Sequence, residues 1–242
     1  MPRGTYPLAA TAVALVMVAG ACGSGGAATP VAAEYAPQID PADFSTTIDN
    51  PYLPLVPGTR HSYEGTTDKG QERIVVEVTR QTRTVMGWEC VAVRDTVTLE
   101  GELVEDTTDW YAQHADGSVW YFGEETAEYS NGEVVSTAGA WEAGVDGAYP
   151  GVVMPAQPKV GDSYRQEYYQ GEAEDMADVL SVTATAEVPA GSYSDVLQTL
   201  DYTPLDPDLV EHKYYAPGVG FVLEVGIKGG TDRIGLVRTE TF

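Results

Sequence analysis

The chain has 242 residues, of which 37 are acidic and 13 are basic, so its formal net charge at pH 7 is −24. A surface with this charge repels the phosphates of nucleic acids, and we exclude nucleic acid as a partner. The two cysteines, Cys22 and Cys90, cannot build a disulfide framework, so an apolar core must stabilise the folded part.

The N-terminus has the pattern of an export signal. Arg3 precedes an uncharged apolar stretch at residues 8–19, which is shorter than the roughly 20 residues that a membrane-spanning helix needs. The letters AGAC that end at Cys22 resemble the lipobox of bacterial lipoproteins. That resemblance implies a signal peptide at residues 1–21, lipidation of Cys22, and anchoring of the exported chain to the outer face of the cell membrane by its acyl chains. An ordinary signal peptide with a chance cysteine is the alternative.

Residues 22–43 lack apolar periodicity and are predicted to form a flexible tether. Residues 44–242 predict one all-β domain with few or no helices, because short runs of β-branched and aromatic residues alternate with turn signals. The predicted strands are residues 59–66, 72–80, 88–99, 102–114, 118–124, 133–137, 162–169, 179–188, 195–203, 210–216, 219–227 and 232–240.

Three dipeptides predict tight hairpins: Glu100-Gly101, Asp116-Gly117 and Asn131-Gly132. Each places a glycine where a two-residue turn needs a positive φ angle. Consecutive hairpins indicate an antiparallel meander. A meander of this width is expected to curve into a half-barrel or a closed barrel, since open twisted sheets rarely grow so wide.

A regular hairpin at Glu100-Gly101 places Asp95 directly opposite Asp106. Two opposed carboxylates on an apolar sheet face can bind a divalent cation, share a proton, or be neutralised by a cation such as Arg165. A second candidate for acid/base chemistry is the segment EHKYY, which places His212 and Tyr214 on one strand face. Ordinary alternation on a half-exposed strand is the alternative for that segment.

The predicted ligand-binding residues are Arg165, Glu167, Trp110 and Tyr121. Arg165 and Glu167 share one face of the strand RQEYYQ, and Trp110 and Tyr121 belong to an aromatic-rich sheet, whose rings could instead pack in the core. A two-residue turn at Asp116-Gly117 places Tyr121 opposite Ala112.

An acidic segment follows this strand and is interpreted as a solvated turn. Its carboxylates are weak candidates for a divalent-cation site, and no other cofactor is predicted. They are Glu172, Glu174, Asp175 and Asp178.

The segments VPAGSYSDVLQT (188–199) and YYAPGVGFVLEV (214–225), with the words DWYAQ, VWYFGE and EHKYYAPG, resemble a family of uncharacterised exported β-rich bacterial proteins. The predicted architecture is similar to that of the LolA, LolB and LprG lipoprotein carriers, which hold acyl chains in a curved antiparallel sheet. The chain departs from those carriers because it offers no clear helix to pack inside the half-barrel.

These patterns favour a tethered, non-enzymatic binding module for a small or lipidic molecule held in the curved sheet. Two alternatives remain. One is an envelope hydrolase, lyase or isomerase that uses the carboxylates with His212 and Tyr214, and the other is a structural envelope protein without a ligand.

Overall fold

The computed structural model describes residues 35–230 and 232–242. The predicted signal peptide, Cys22 and most of the predicted tether lie outside these residues. Within them the chain forms strands and one short 3-10 helix at Pro41–Asp43, and no helix is long and apolar enough to cross a membrane.

The first strands, from the N-terminus to the middle of the chain, are β1 (Phe44–Ser45), β2 (Thr59–Thr67), β3 (Gly70–Val85), β4 (Trp88–Leu99), β5 (Glu102–His114), β6 (Val119–Ser130), β7 (Glu133–Ser136) and β8 (Trp141–Glu142). The remaining strands are β9 (Tyr149–Met154), β10 (Ser163–Arg165), β11 (Glu167–Tyr168), β12 (Met176–Val188), β13 (Gly191–Thr203), β14 (Asp206–Ala216), β15 (Gly220–Lys228) and β16 (Arg233–Thr241).

All strand pairs are antiparallel and belong to one sheet, in the order β10-β12-β13-β14-β15-β16-β2-β3-β4-β5-β6-β9-β11. Strands β1, β7 and β8 pair at its margins with β5 and β6. The end strand β10 also lies beside β9, so the sheet is nearly closed into a barrel. The predicted all-β class and meander are confirmed.

Two of the three predicted hairpins form as expected. Glu100 and Gly101 have φ angles of 50° and 86°, and Asn131 and Gly132 have φ angles of 54° and 78°, which suit two-residue turns. The hairpin at Asp116-Gly117 is different because its loop is longer. Its strands pair Ala112 with Trp120, so the predicted pairing of Ala112 with Tyr121 is wrong.

The predicted opposition of Asp95 and Asp106 is also wrong. Leu99 faces Glu102 as expected, but the register between β4 and β5 then shifts by one residue at a bulge. Asp95 therefore faces Thr107, and Asp106 faces Thr96. A shift of one residue moves side chains to the opposite face of a sheet, so the two carboxylates lie on opposite faces.

The apolar core fills part of the barrel interior. Two apolar clusters join strands from opposite sides of the sheet. Their buried members include Val78, Val91, Val93, Val97, Val179, Val196, Leu197, Val222 and Leu236. A third cluster lies largely on the outer face of β4–β6, where Ile39 and Phe44 cover Trp88, Trp110 and Phe122.

Contacts with the barrel begin upstream of residue 44. The Tyr35 hydroxyl donates a hydrogen bond to the Pro150 carbonyl oxygen at 3.0 Å, and Ile39 packs on the outer apolar cluster.

Candidate functional site

The inner face of the barrel carries many carboxylates, because the strand registers align acidic residues with core residues. On β4, Asp95 lies between Val93 and Val97 on this face, and Asp109 of β5 faces Val93. On the strands β13 and β14, Asp201 pairs with Glu211. The interior acidic cluster is defined as the ten residues Glu72, Asp95, Glu105, Asp109, Glu124, Glu167, Asp175, Asp201, Glu211 and Glu224.

Tyrosine and threonine side chains organise the part of the cluster on β5 and β6. The Tyr121 hydroxyl donates to Asp109 Oδ1 at 2.6 Å, and the Tyr121 ring stacks on Tyr111 with centroids 4.9 Å apart. The Thr107 hydroxyl donates to Glu105 Oε1 at 3.2 Å. These contacts fix the acid side chains in place from two neighbouring strands.

Glu167 enters the same interior from β11. The Trp141 indole Nε1 donates to Glu167 Oε2 at 3.0 Å. The Trp141 ring meets the Tyr121 ring edge to face, with centroids 5.4 Å apart. Trp141 therefore contacts both Glu167 and the Tyr121 ring, whose hydroxyl binds Asp109 of β5.

Lys213 on β14 lies in the opposite part of the cluster. Its Nζ atom is 3.8 Å from Asp201, 3.9 Å from Glu211 and 3.9 Å from Glu224. Burial alone would lower the pKa of Lys213, but the surrounding carboxylates raise it well above its ordinary value. The ammonium group is thus held charged by three carboxylates.

Burial raises the pKa values of the cluster carboxyls because water no longer solvates their charges. The pKa values of Glu72, Glu105 and Asp109 rise to about 7. Burial and the charge of Asp109 raise the pKa of Glu124 well above its ordinary value. Near neutral pH the cluster must therefore hold protons or be paired with positive charge.

Several cluster oxygens are inaccessible to solvent and accept no hydrogen bond from the residues that the structure describes: Glu72 Oε1, Asp95 Oδ1, Glu105 Oε2, Asp175 Oδ1 and Glu224 Oε1. An unsatisfied buried polar group costs about 1–3 kcal/mol. These oxygens therefore suit a partner that donates hydrogen bonds or carries positive charge.

The predicted catalytic candidates are not brought together. Asp95 faces the interior, whereas Asp106 lies on the outer face and binds the Arg94 guanidinium through two contacts of 2.8 and 2.6 Å. His212 and Tyr214 also lie on the outer face, where Gln198 Nε2 is 3.2 Å from His212 Nδ1 and 3.1 Å from the Tyr214 hydroxyl.

The predicted ligand-binding residues divide between the two faces. Tyr121 and Glu167 belong to the interior site described above. Trp110 lies on the outer face beneath the Arg83 guanidinium, 4.0 Å from its ring centroid. The Arg165 guanidinium lies over the Tyr168 ring at 4.8 Å.

The four acids of residues 172–178 do not converge. Asp175 is part of the interior acidic cluster, and Asp178 alternates to the other face beside the buried Ala177. Glu174 accepts the Gly171 amide at 2.8 Å, and Glu172 is half-buried. Within the ranges that the structure describes, no group of three or more His, Cys, Asp or Glu side chains is arranged to hold a metal ion.

The sequence interpretation assigned Asp95, Glu167 and Asp175 to candidate sites but missed the other members and their cation: Glu72, Glu105, Asp109, Glu124, Asp201, Glu211, Lys213 and Glu224. Each residue is polar within an alternating strand, which is also typical of a solvated sheet face. The signal that could identify them is their position on the same strand face as apolar core residues.

A groove of about 510 Å³ lies beside β2 and β16, and its lining residues His61 and Leu236 are on the inner faces of these strands. Val219 and Leu236 contribute apolar surface, and His61, Tyr193 and Arg238 contribute polar groups. Burial lowers the pKa of His61. The groove is separate from the interior acidic cluster.

Comparisons with known proteins find one distant likeness of fold. No protein-family model matches the chain, and no curated protein matches it significantly. A crystal structure from Parabacteroides distasonis, described as a candidate lipoprotein, is 13% identical and covers 78% of this chain and 98% of its own, with a TM-score of 0.39. A likeness at this level carries no functional argument.

Proposed function

We propose that the protein is a binding module that holds a small polar molecule inside its barrel, at the interior acidic cluster. The observation that carries this proposal is the set of buried carboxylate oxygens that have no hydrogen-bond partner in the described part of the chain. A barrel that served only as a scaffold would be more stable with apolar side chains at these positions, because buried carboxylates are costly. Residues retained at such a cost are typical of functional sites.

The character of the interior favours a polar ligand over an acyl chain. An acyl chain gains free energy by contact with apolar surface, whereas the cluster offers carboxylates and hydroxyl groups. The sequence favours a small or a lipidic molecule, and a small molecule with polar groups is the better fit to this site.

The arrangement also favours binding over catalysis. The enzyme hypothesis requires the carboxylates to act with His212 and Tyr214. Those two side chains lie on the outer face of β14, while Asp95 faces the interior, so one substrate could not contact all three groups.

The cellular location is part of the proposal. The lipobox resemblance at Cys22 supports an exported chain anchored by acyl groups to the outer face of the cell membrane. Residues between the anchor and Tyr35 would then set the distance between the membrane and the barrel.

Native mass spectrometry of the full chain, extracted from a bacterial envelope, tests the proposal. The expected result is a bound organic mass in a one-to-one ratio, which is lost when Glu105→Gln and Asp109→Asn are combined. Exposed Glu125, whose side chain is 77% accessible, gives the matched control Glu125→Gln, which should keep the mass. A bare chain that also gains no thermal stability from a library of small polar molecules would contradict the proposal.

A further inference from the structure

Seven of the ten acids in the interior acidic cluster form two groups, called here the Lys213 half and the Tyr121 half, which differ in their positive charge. The Lys213 half consists of Asp201, Glu211 and Glu224, which surround one ammonium group. The Tyr121 half consists of Glu105, Asp109, Glu124 and Glu167. Within the described part of the chain, no Lys, Arg or His forms an ion pair with any of these four carboxylates.

The Lys213 half shows what this interior can hold. An alkylammonium group carries a compact charge and three hydrogen-bond donors, and three carboxylates lie within 3.9 Å of Lys213 Nζ. The butyl stem of the lysine reaches this position from β14. The protein therefore contains an internal example of an alkylamine bound among its buried acids.

The Tyr121 half has the groups that a second ammonium would need. Glu105 is 1% exposed, and its Oε2 atom is buried without a hydrogen-bond partner. The rings of Tyr111, Tyr121 and Trp141 lie beside the acids. Aromatic faces attract cations, and this attraction is stronger in a desolvated site.

The described residues favour an organic cation over a metal ion as the partner of these acids. Calcium and magnesium require several oxygen ligands at about 2.0–2.6 Å, and the described residues offer no such arrangement. An alkylammonium can interact with carboxylates at longer distances, as the 3.8–3.9 Å between Lys213 Nζ and its three carboxylates shows.

We propose that the Tyr121 half binds the protonated primary amine of a small organic ligand, in the same way that the Lys213 half holds the Lys213 ammonium. This inference rests on the proposed function and names its ligand class. The amine nitrogen would donate its three protons to Glu105, Asp109 and Glu124, and the aliphatic part would lie against the tyrosine rings.

Amine binding at the Tyr121 half should be linked to proton release. A bound ammonium favours the ionised carboxylates, so binding must release protons from acids that are protonated in the free protein. The affinity should therefore rise with pH until the amine itself loses its proton. A neutral ligand of the same size would show neither effect.

The test is isothermal titration of the full chain with four probes: 1-pentylamine, 1,5-diaminopentane, 1-pentanol and calcium chloride. The two amines should bind, and their binding should release protons from the protein, as measured in two buffers of different ionisation enthalpy. Neither 1-pentanol nor calcium should bind. Glu124→Gln should weaken amine binding at least tenfold. The adjacent exposed control Glu125→Gln should leave it unchanged, and circular dichroism should confirm that both variants fold.

A second variant tests the premise that the buried acids accept a free alkylammonium. Lys213→Ala removes the internal ammonium, and added propylamine should then raise the thermal unfolding midpoint of this variant more than that of the wild type. If Lys213→Ala does not fold, the Glu124→Gln titration alone decides.

The outcomes separate the amine site from the proposed function. Equal binding of pentanol and pentylamine, tighter binding of calcium, or amine binding that Glu124→Gln does not weaken would each overturn the inference. A bound envelope ligand without an amine would do so while leaving the proposed function intact. If no probe binds and the envelope chain carries no ligand, both fail.

Discussion

The substitution Glu105→Gln should remove from the pH dependence of stability the share that Glu105 contributes. Glu105 is almost fully buried, and burial raises its pKa from 4.5 to about 7. A carboxyl whose pKa is raised on folding binds its proton more tightly in the folded state. Its contribution is present below the unfolded pKa and is lost as the pH rises through 7.

The size of this effect follows from the two pKa values. A shift from 4.5 to about 7 corresponds to about 3 kcal/mol at 1.36 kcal/mol per pKa unit. Between pH 5 and pH 8, Glu105 should therefore lower the free energy of unfolding by about 2–3 kcal/mol. Glutamine has nearly the same shape, can accept the Thr107 hydrogen bond, and does not titrate.

Urea unfolding at pH 5 and pH 8 measures the effect directly. The wild type and Glu105→Gln should agree within about 1 kcal/mol at pH 5, where both side chains are neutral. At pH 8 the variant should be the more stable by about 2–3 kcal/mol. The control Glu125→Gln should follow the wild type at both values. Parallel profiles for the wild type and Glu105→Gln would refute the assignment of a buried, proton-holding carboxyl.

Three further changes test other parts of the structure. Lys213→Met should lower the free energy of unfolding at pH 8 by about 3–5 kcal/mol, because it leaves buried carboxylates without their counter-ion. Urea unfolding should show a smaller loss of stability at pH 5, where the acids can take up protons. Asp106→Asn breaks the partly exposed pair with Arg94 and should cost less than about 1 kcal/mol, and native mass spectrometry should find ligand binding unchanged. Gly123→Ala should lower the thermal unfolding midpoint and reduce the free energy of unfolding by about 2 kcal/mol. The reason is that Gly123 has a φ of 126° and an added Cβ would collide with the Trp141 carbonyl oxygen. An unchanged midpoint would contradict the close approach of β6 and β8.

The fold was largely predictable because its signals are local. Alternation and turn dipeptides located most of the strands, and the glycines of Glu100-Gly101 and Asn131-Gly132 have the positive φ angles that the turns require. Strand β9 was missed because YPGVVM contains a proline and a glycine, which weaken a strand pattern. Pairing over longer distances could not be predicted in the same way.

The site could be predicted only in part because register depends on bulges. Two predicted ligand-binding residues, Tyr121 and Glu167, do belong to the interior site. A single extra residue in β5 moved Asp106 away from Asp95, and nothing in the local sequence marks that bulge. Lys213 faces the same interior as the acids of β5 because the sheet curves and brings β14 opposite β5. No local pattern around Lys213 predicts this curvature.

The acidic interior connects ligand binding to stability. A ligand present at 100 times its dissociation constant stabilises the folded state by about 2.7 kcal/mol, and ionising Glu105 costs about 3 kcal/mol over its raised pKa range. An amine bound at the Tyr121 half would therefore offset roughly the cost of one ionised carboxylate. At neutral pH the empty barrel should hold more protons than the loaded barrel, because the ligand's positive charge favours the ionised carboxylates. Both states should remain folded, with a different proton content.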